Sequence, residues 1–304
     1  MHPELLDLPC YLNGEFTRLP DARISVMDRG FIFGDGVYEV IPVYAGQPFR
    51  MAQHLQRLDR SLRELRIANP MSAAQWNALV GELVQRLAQQ QGRAATDTDQ
   101  LVYLQITRGV AMRDHVMPKD IRPTVFAMTN LMKQPSAHDV EHGVRCVTAE
   151  DFRWKKAHIK STSLLGAVFS RQISADEGAT ETVMFRDGHL SEAAASNVWV
   201  VKDGRVMGPP KDNLVLEGIR YGLLEELCAT AGLPLELRRI TREEVLQADE
   251  LLLSSATKEV LAITTLDDRP VGNGRPGPVA RALRAAYQEA KRQSGQRTAA
   301  AASA

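Results

Sequence analysis

The sequence lacks most of the features by which a chain advertises a metal or nucleotide site. Its three cysteines, Cys10, Cys146 and Cys228, are odd in number and far apart, with no CxxC pair to suggest zinc. A disulfide framework is not expected in a chain of 304 residues. Neither GxGxxG nor a P-loop occurs, so any phosphate-bearing cofactor must be bound in another way. No run of about eighteen apolar residues could span a membrane, and the stretch Met1–Phe16 lacks the basic and apolar regions of a secretory leader. Neither sign of charge is in excess: 37 Lys plus Arg cancel 37 Asp plus Glu. No global field therefore favours nucleic acid or an anionic membrane, and small anions must be held by local constellations. There is no internal repeat. These exclusions leave a soluble, cytoplasmic, globular protein, 44% hydrophobic and long enough for two domains.

The pattern along the chain is mixed. Asn13-Gly14 between short β-prone runs marks a hairpin, and Gly36–Tyr44 reads as a strand. Leu55, Leu58, Leu62 and Leu65 recur at helical spacing between Met51 and Ile67, and a second helix covers Ser72–Gln91 with Ser72 as N-cap. Strands follow at Leu101–Thr107 and Thr124–Met128, separated by a loop rich in charge and histidine. The polar stretch Lys133–His138 is the expected linker. Beyond it, Asp187-Gly188 and Asp203-Gly204 join Thr182–Phe185, Asn197–Val201 and Val206 as a meander. Helices are expected at Ile219–Ala231, closed by Gly232, and at Pro278–Lys291, with a strand at Glu250–Leu253. Residues 292–304 carry no pattern and read as a disordered tail.

Four segments can carry chemistry. Lys160 follows Ile159 and precedes Ser161-Thr162-Ser163 and an apolar run. A Schiff-base lysine needs such a half-desolvated setting, although spacing alone favours a solvated turn lysine. Glu192 is followed by three alanines, which let backbone approach a flat ligand; the segment alone favours a solvent-facing turn glutamate. Gly218-Ile219 leads into a helix whose first N–H groups suit an anion, and Ser254–Thr257 after a strand offers hydroxyls. Arg113-x-His115 can present two donors to a carboxylate, and Arg does this bidentately.

Taken in order, Asp28-Arg29-Gly30-Phe31 and Phe33-Gly34-Asp35-Gly36-Val37-Tyr38-Glu39-Val40 resemble the N-terminal signature of the class IV pyridoxal-phosphate aminotransferases, and the resemblance runs from about Tyr11 to about Tyr287. It implies that Lys160 holds pyridoxal 5'-phosphate and shuttles the proton, and that Glu192 partners the pyridine nitrogen. Arg57, in its His54-x-x-Arg57-Leu58 context, falls on the phosphate-binding arginine. Further cofactor contacts are implied at Ser196, Leu216, Gly218, Ile219, Arg220 and the Ser255-Ala256-Thr257 turn. The departures are Ile219-Arg220-Tyr221, where the family reads Ile-Thr-Arg, and Ala193–Ala195, where Gly and Ser are usual. The first removes a hydroxyl from the phosphate site and leaves the backbone donor.

Within the family, Tyr38, Arg113 and His115 look like the α-carboxylate trap of the D-amino acid branch. Leu165 stands where branched-chain enzymes usually carry Tyr, and Arg153-Trp154 also fits the D-branch. The expected fold is α+β, fold type IV: a small N-terminal α/β domain (1–133) and a larger cofactor-binding, β-rich pseudobarrel domain with helices (134–291). The expected activity is a D-amino acid (D-alanine) aminotransferase working by a ping-pong mechanism, as a homodimer, without metal, nucleic acid or membrane partner. Alternatives are a branched-chain L-aminotransferase, aminodeoxychorismate lyase, an R-amine transaminase and a non-catalytic binding protein. The preferred side chain, the oxo acid acceptor and the pathway are not legible.

Overall fold

A computed structural model describes residues 6–301, apart from the side chains of Arg220 and of 295–301. The chain divides into two compact units: 1–132 with 159–164 and 293–304, and 133–158 with 165–292. Among the described residues no helix is long and apolar enough to cross a membrane.

The first unit is a six-stranded antiparallel sheet with helices against it. Strands β1 (Pro9–Leu12) and β2 (Glu15–Arg18) turn through Asn13 and Gly14, both at positive φ (51° and 115°). They are followed by β3 (Gly36–Tyr44), β4 (Gln47–Pro48), β5 (Gln100–Thr107) and β6 (Thr124–Leu131), in the order β2-β1-β6-β5-β3-β4. Helix α1 (Arg29–Phe33) starts at Asp28, whose carboxylate accepts the Gly30 N–H at 2.8 Å. Helix α2 (Met51–Glu64) and helix α3 (Ala73–Gln90) bring Leu58, Leu62, Trp76, Val80 and Leu83 to Ile41, Val102 and Leu104 in one core. Ser72 caps α3 through a reciprocal pair with Gln75, as the sequence indicates.

A cut between residues 133 and 134 treats each half as continuous, and the chain is not. Residues 159–164 return to the first unit because Ser161 bridges Val37 antiparallel, laying the segment along β3.

The second unit holds α4 (Ala137–His142), β7 (Val144–Glu150), α5 (Leu165–Asp176), β8 (Glu181–Arg186), β9 (His189–Ala193) and β10 (Asn197–Lys202). Then come β11 (Arg205–Gly208), α6 (Ile219–Ala231), β12 (Leu235–Leu237), α7 (Arg242–Leu246), β13 (Glu250–Ser255), β14 (Glu259–Leu266), β15 (Arg269–Pro270) and α8 (Pro278–Ala301). Its curled mixed sheet runs β12-β11-β10-β13-β14-β7-β8-β9, with β15 on β14; β7 is parallel to both neighbours. One face buries Val183, Phe185, Val198, Val200, Leu251 and Leu253. The other is buried too: Trp199 meets Tyr221 of α6 with ring centroids 4.6 Å apart.

Burial on both faces erases the polar–apolar alternation that marks half-exposed strands, so β9 and β14 do not stand out in the sequence. The stretch read as a linker ends in α4, capped by Ser136, and the apolar run after Lys160 is α5. Helix α8 continues past Lys291 to Ala301, since its alanine-rich end has high helix propensity; Ala302–Ala304, the end of the expected tail, lie outside the described residues.

Leu58 is fully buried between α2 and the first sheet. Leu58→Ala should lower stability by about 2–5 kcal/mol, read as an earlier urea transition with an unchanged secondary-structure spectrum before it.

Candidate active site

Lys160 is fixed by its own backbone. Its N–H donates to Ser61 Oγ of α2 at 3.2 Å, its carbonyl accepts the Tyr38 N–H at 3.0 Å, and the Thr162 N–H donates to Gly36 O at 2.9 Å. The side chain is half-buried, and its Nζ lies 4.1 Å from the centre of the Tyr38 ring. Among the described residues no carboxylate pairs with it. A cation against an aromatic face is stabilised only modestly.

Arg57 sits one helical turn before Ser61, on the same face of α2. Its Nε and Nη2 donate to the two oxygens of Glu39 at 2.7 and 2.8 Å, and His54 Nδ1 approaches Glu39 Oε2 at 2.7 Å. Glu39 is fully buried on β3. Burial by itself pushes its carboxyl up, but the Arg57 guanidinium and the His54 ring overcome this and hold it well below the usual carboxylate value. The His54-x-x-Arg57 spacing is thus a two-point grip on one carboxylate, and that grip fixes the plane of the guanidinium.

In the second unit Glu192 ends up on β9, almost fully buried, rather than in a turn. Arg153 Nη1 donates to its Oε1 at 2.6 Å, Asn197 Nδ2 to its Oε2 at 3.1 Å, and the Leu216 N–H to both oxygens at 3.3 Å. Here burial wins, and the carboxyl is pushed above its usual value despite Arg153. Arg153 also grips Asp151 through Nε and Nη2, both at 2.9 Å, and Asp151, which Arg186 reaches at 3.0 Å, adds like-charge repulsion to the effect of burial. Glu192 is thus a buried carboxylate whose charged form burial disfavours, and a protonated ring nitrogen is the kind of donor it can accept from.

Asn197 also donates to Leu216 O at 3.0 Å, and Leu216 lies just ahead of Gly218, the N-cap of α6, which carries no side-chain cap. That helix start keeps backbone N–H groups available to an anion; Ile219 is its first residue, and the Arg220 side chain is outside the described residues. Asn197 pairs across the sheet with Ser254, next to the Ser255-Ala256-Thr257 turn. Ser255 Oγ accepts the Lys258 N–H at 3.1 Å, and Thr257 is exposed. Ser196 is buried, its hydroxyl donating to Glu181 at 3.3 Å. Each unit carries groups that suit a part of pyridoxal phosphate: in the first an amine that meets no acid among the described residues and an arginine, in the second a buried carboxylate and a helix start without a side-chain cap.

Arg113 and His115 lie exposed on the loop after β5, where both meet Phe33 of α1, at 5.5 and 5.4 Å from its ring centre. Among the described residues no hydrogen bond or ring contact joins them to Tyr38, which stacks on Tyr103. The loop is tethered by Arg29, whose Nη1 donates to Asp114 O at 2.6 Å.

Sequence reasoning missed Glu39, Asn197 and Glu181 as site partners and read Arg153 only as a branch marker. The available signal was a carboxylate inside a strand otherwise fully apolar on one face, since a buried charge demands a partner.

Comparison with known proteins gives the family. The family model described as Amino-transferase class IV matches residues 36–266. A D-alanine aminotransferase of Bacillus licheniformis is 35% identical over 276 residues, 91% of this chain and 94% of that protein. One from Staphylococcus aureus (strain COL) is 34% identical over 284 residues, 92% and 96% of the two chains. Among solved structures, a branched-chain amino acid aminotransferase of Escherichia coli has a TM-score of 0.81 at 24% identity, covering 92% of this chain and 93% of that one; it speaks for the fold alone.

Glu39→Gln should destabilise the protein by about 3–5 kcal/mol at neutral pH, because it leaves a buried guanidinium without its counter-charge. A carboxylate with a lowered folded-state value contributes stability above its unfolded value of 4.5, and that contribution fades as pH falls below it. The gap between wild type and variant should accordingly narrow in acid, as measured by urea unfolding across a pH series.

Proposed function

The chain belongs to the class IV aminotransferases, enzymes that use pyridoxal phosphate, and on that premise we propose that it transfers amino groups between D-amino acids and 2-oxo acids, with Lys160 holding the cofactor. The observation that carries the reading is the half-buried Lys160 amine, held by its backbone, facing Tyr38 and meeting no carboxylate among the described residues. The D-alanine aminotransferase relatives at 34–35% identity support the D-branch.

Bound pyridoxal phosphate supplies an aldehyde carbon that takes up the amino group and a ring that accepts the electron pair left by the departing α-proton. Lys160 Nζ takes that α-proton and returns it one carbon away, so one side chain serves as base and then acid. Glu192 would accept the ring N–H and so favour a protonated nitrogen, while Arg153, Asn197 and the Leu216 N–H orient its carboxylate. Arg57, the Ile219 N–H and the Ser255–Thr257 turn hold the phosphate, with Leu216, Gly218 and Ser196 shaping the rest of that cradle. Tyr38, Arg113 and His115 hold the substrate α-carboxylate, so the orientation that turns the α-hydrogen of a D-amino acid to Lys160 is favoured. Two such half-reactions in sequence give ping-pong kinetics.

The reading includes a homodimer, supported by Val26, Phe31, Met112 and Val116, which the first unit leaves exposed and a second copy would cover. It also includes a cytoplasmic location, to which three buried free thiols are suited.

A panel of D- and L-amino acids and R-amines, scored by loss of the visible absorbance of lysine-bound cofactor, tests the reading. D-alanine should react and L-leucine should not; equal turnover of both would overturn it. Lys160→Ala should remove both the absorbance and the activity. Arg113→Ala should cut kcat/KM for D-amino acids by about 10- to 100-fold, the loss of a charged hydrogen bond of about 1.5–3 kcal/mol. Pyruvate released without an amino acceptor would instead indicate a lyase.

A further inference from the structure

Glu181 opens β8 and is fully buried, yet no step of the chemistry above uses it. Its carboxylate accepts from Lys258 Nζ at 2.6 Å, from the Ala195 N–H at 3.0 Å and from the Ser196 hydroxyl at 3.3 Å. These partners come from two different turns. Ala195 and Ser196 lie between β9 and β10, in the turn flanked by Glu192 on one side and by its amide partner Asn197 on the other. Lys258 closes the turn between β13 and β14, where its N–H donates to Ser255 Oγ.

Each turn has a bond of its own, Ala193 N–H to Ser196 O at 2.8 Å and Lys258 N–H to Ser255 Oγ at 3.1 Å, but neither of these bonds reaches the other turn. Ala193, Ala194 and Ala195 have no side-chain hydrogen bonds to give, and Thr257 is exposed. A buried carboxylate is costly unless paired and hydrogen-bonded, so the three-way contact is a strong local constraint. Lys258 is itself mostly buried, with 20% of its side chain exposed, so solvent screens the pair only in part.

We propose that Glu181, ion-paired to Lys258, is a positioning residue that clamps the Ser255–Thr257 turn to the Ala195–Ser196 turn and so sets the phosphate donors against the Glu192 carboxylate. This rests on the reading that the Ser255–Thr257 turn holds the cofactor phosphate. Charge, and not shape, is what the clamp supplies: Glu181→Gln keeps the outline and loses the ion pair, Lys258→Met loses the cation, and Lys258→Arg keeps it.

The test uses the holoenzyme and three readouts: the pyridoxal phosphate dissociation constant, the phosphorus NMR resonance of the bound phosphate, and the visible band of the lysine-bound cofactor. Glu181→Gln and Lys258→Met should each weaken cofactor binding by about 10-fold or more, the range seen when an outer partner of a ligand-holding group is removed. Both should shift or broaden the phosphorus resonance. The visible band should stay in place, because Lys160 and Glu192 are untouched, and Lys258→Arg should restore affinity. The double variant should be no worse than the weaker single, as expected of a pair acting as a unit.

Unchanged affinity and phosphorus resonance, with only a lower unfolding temperature, would reduce the pair to a structural brace and overturn the proposal. Ser255→Ala and Thr257→Val separate the two ideas. If they move the phosphorus resonance while the Glu181 and Lys258 variants do not, the clamp alone is wrong. If they leave it unmoved, the phosphate reading of the turn fails and the clamp falls with it. Should Glu181→Gln not fold, Lys258→Met and Lys258→Arg carry the same comparison.

Discussion

The docking of one short peptide along β3 governs the arrangement of the reactive amine. Lys160 is bracketed by Ser61, Tyr38 and the Thr162–Gly36 bond, so the side chain is left as its main freedom. That docking explains the glycines of the Phe33–Val40 signature. A side chain on Gly36 would begin 2.7 Å from the Ile106 carbonyl, and one on Gly34, already at φ 66°, would begin 2.8 Å from Ser163 Oγ. Only a residue without Cβ lets the lysine segment lie this close. The signature is therefore a packing requirement of the lysine peptide before it is anything chemical.

The two buried glutamates show how the same residue type is tuned in opposite directions. Glu39 receives two N–H groups from one guanidinium and a ring nitrogen from His54, and its charge is held firmly. Glu192 accepts from an arginine that also holds Asp151, and burial raises its proton affinity in spite of that arginine. The first arrangement positions a cation; the second keeps a carboxylate whose charged form burial disfavours. Such a group costs stability, and its place near a helix start without a side-chain cap supports the cofactor reading proposed above.

How much of this was legible in the sequence depends on where the information lay. The amphipathic helix over Leu55–Leu62, the Ser72 cap and the Asp-Gly turns are local signals, and the fold follows them. The α+β class and the enzyme family came from motifs in order along the chain. Strands β9 and β14 were not legible because they are buried on both faces, where the period of two disappears. The charge partners were hidden for a different reason: Arg153 and Glu192 are 39 residues apart and Glu181 and Lys258 are 77 apart, and no spacing rule spans a crossover. Lys160 itself was undecidable from its neighbours, since what sets it apart is the carboxylate it does not meet.

On the reading proposed above, the handedness of the substrate rests on a different kind of element. Asp35 binds Arg108 through Nε and Nη2 at 2.7 and 3.0 Å, and Arg29 at 2.8 Å, while Arg29 reaches Asp114 O. This buried triad anchors the backbone of the loop after β5, and Arg113 and His115 project from it exposed. The consequence is a separation of roles. Residues that hold the lysine peptide and the buried carboxylates cannot change without disturbing the core, whereas the loop side chains can change without touching it. A fold shared with a branched-chain enzyme is compatible with the proposed D-selective reading for that reason: on that reading the choice of substrate rests on exposed side chains held by a buried anchor.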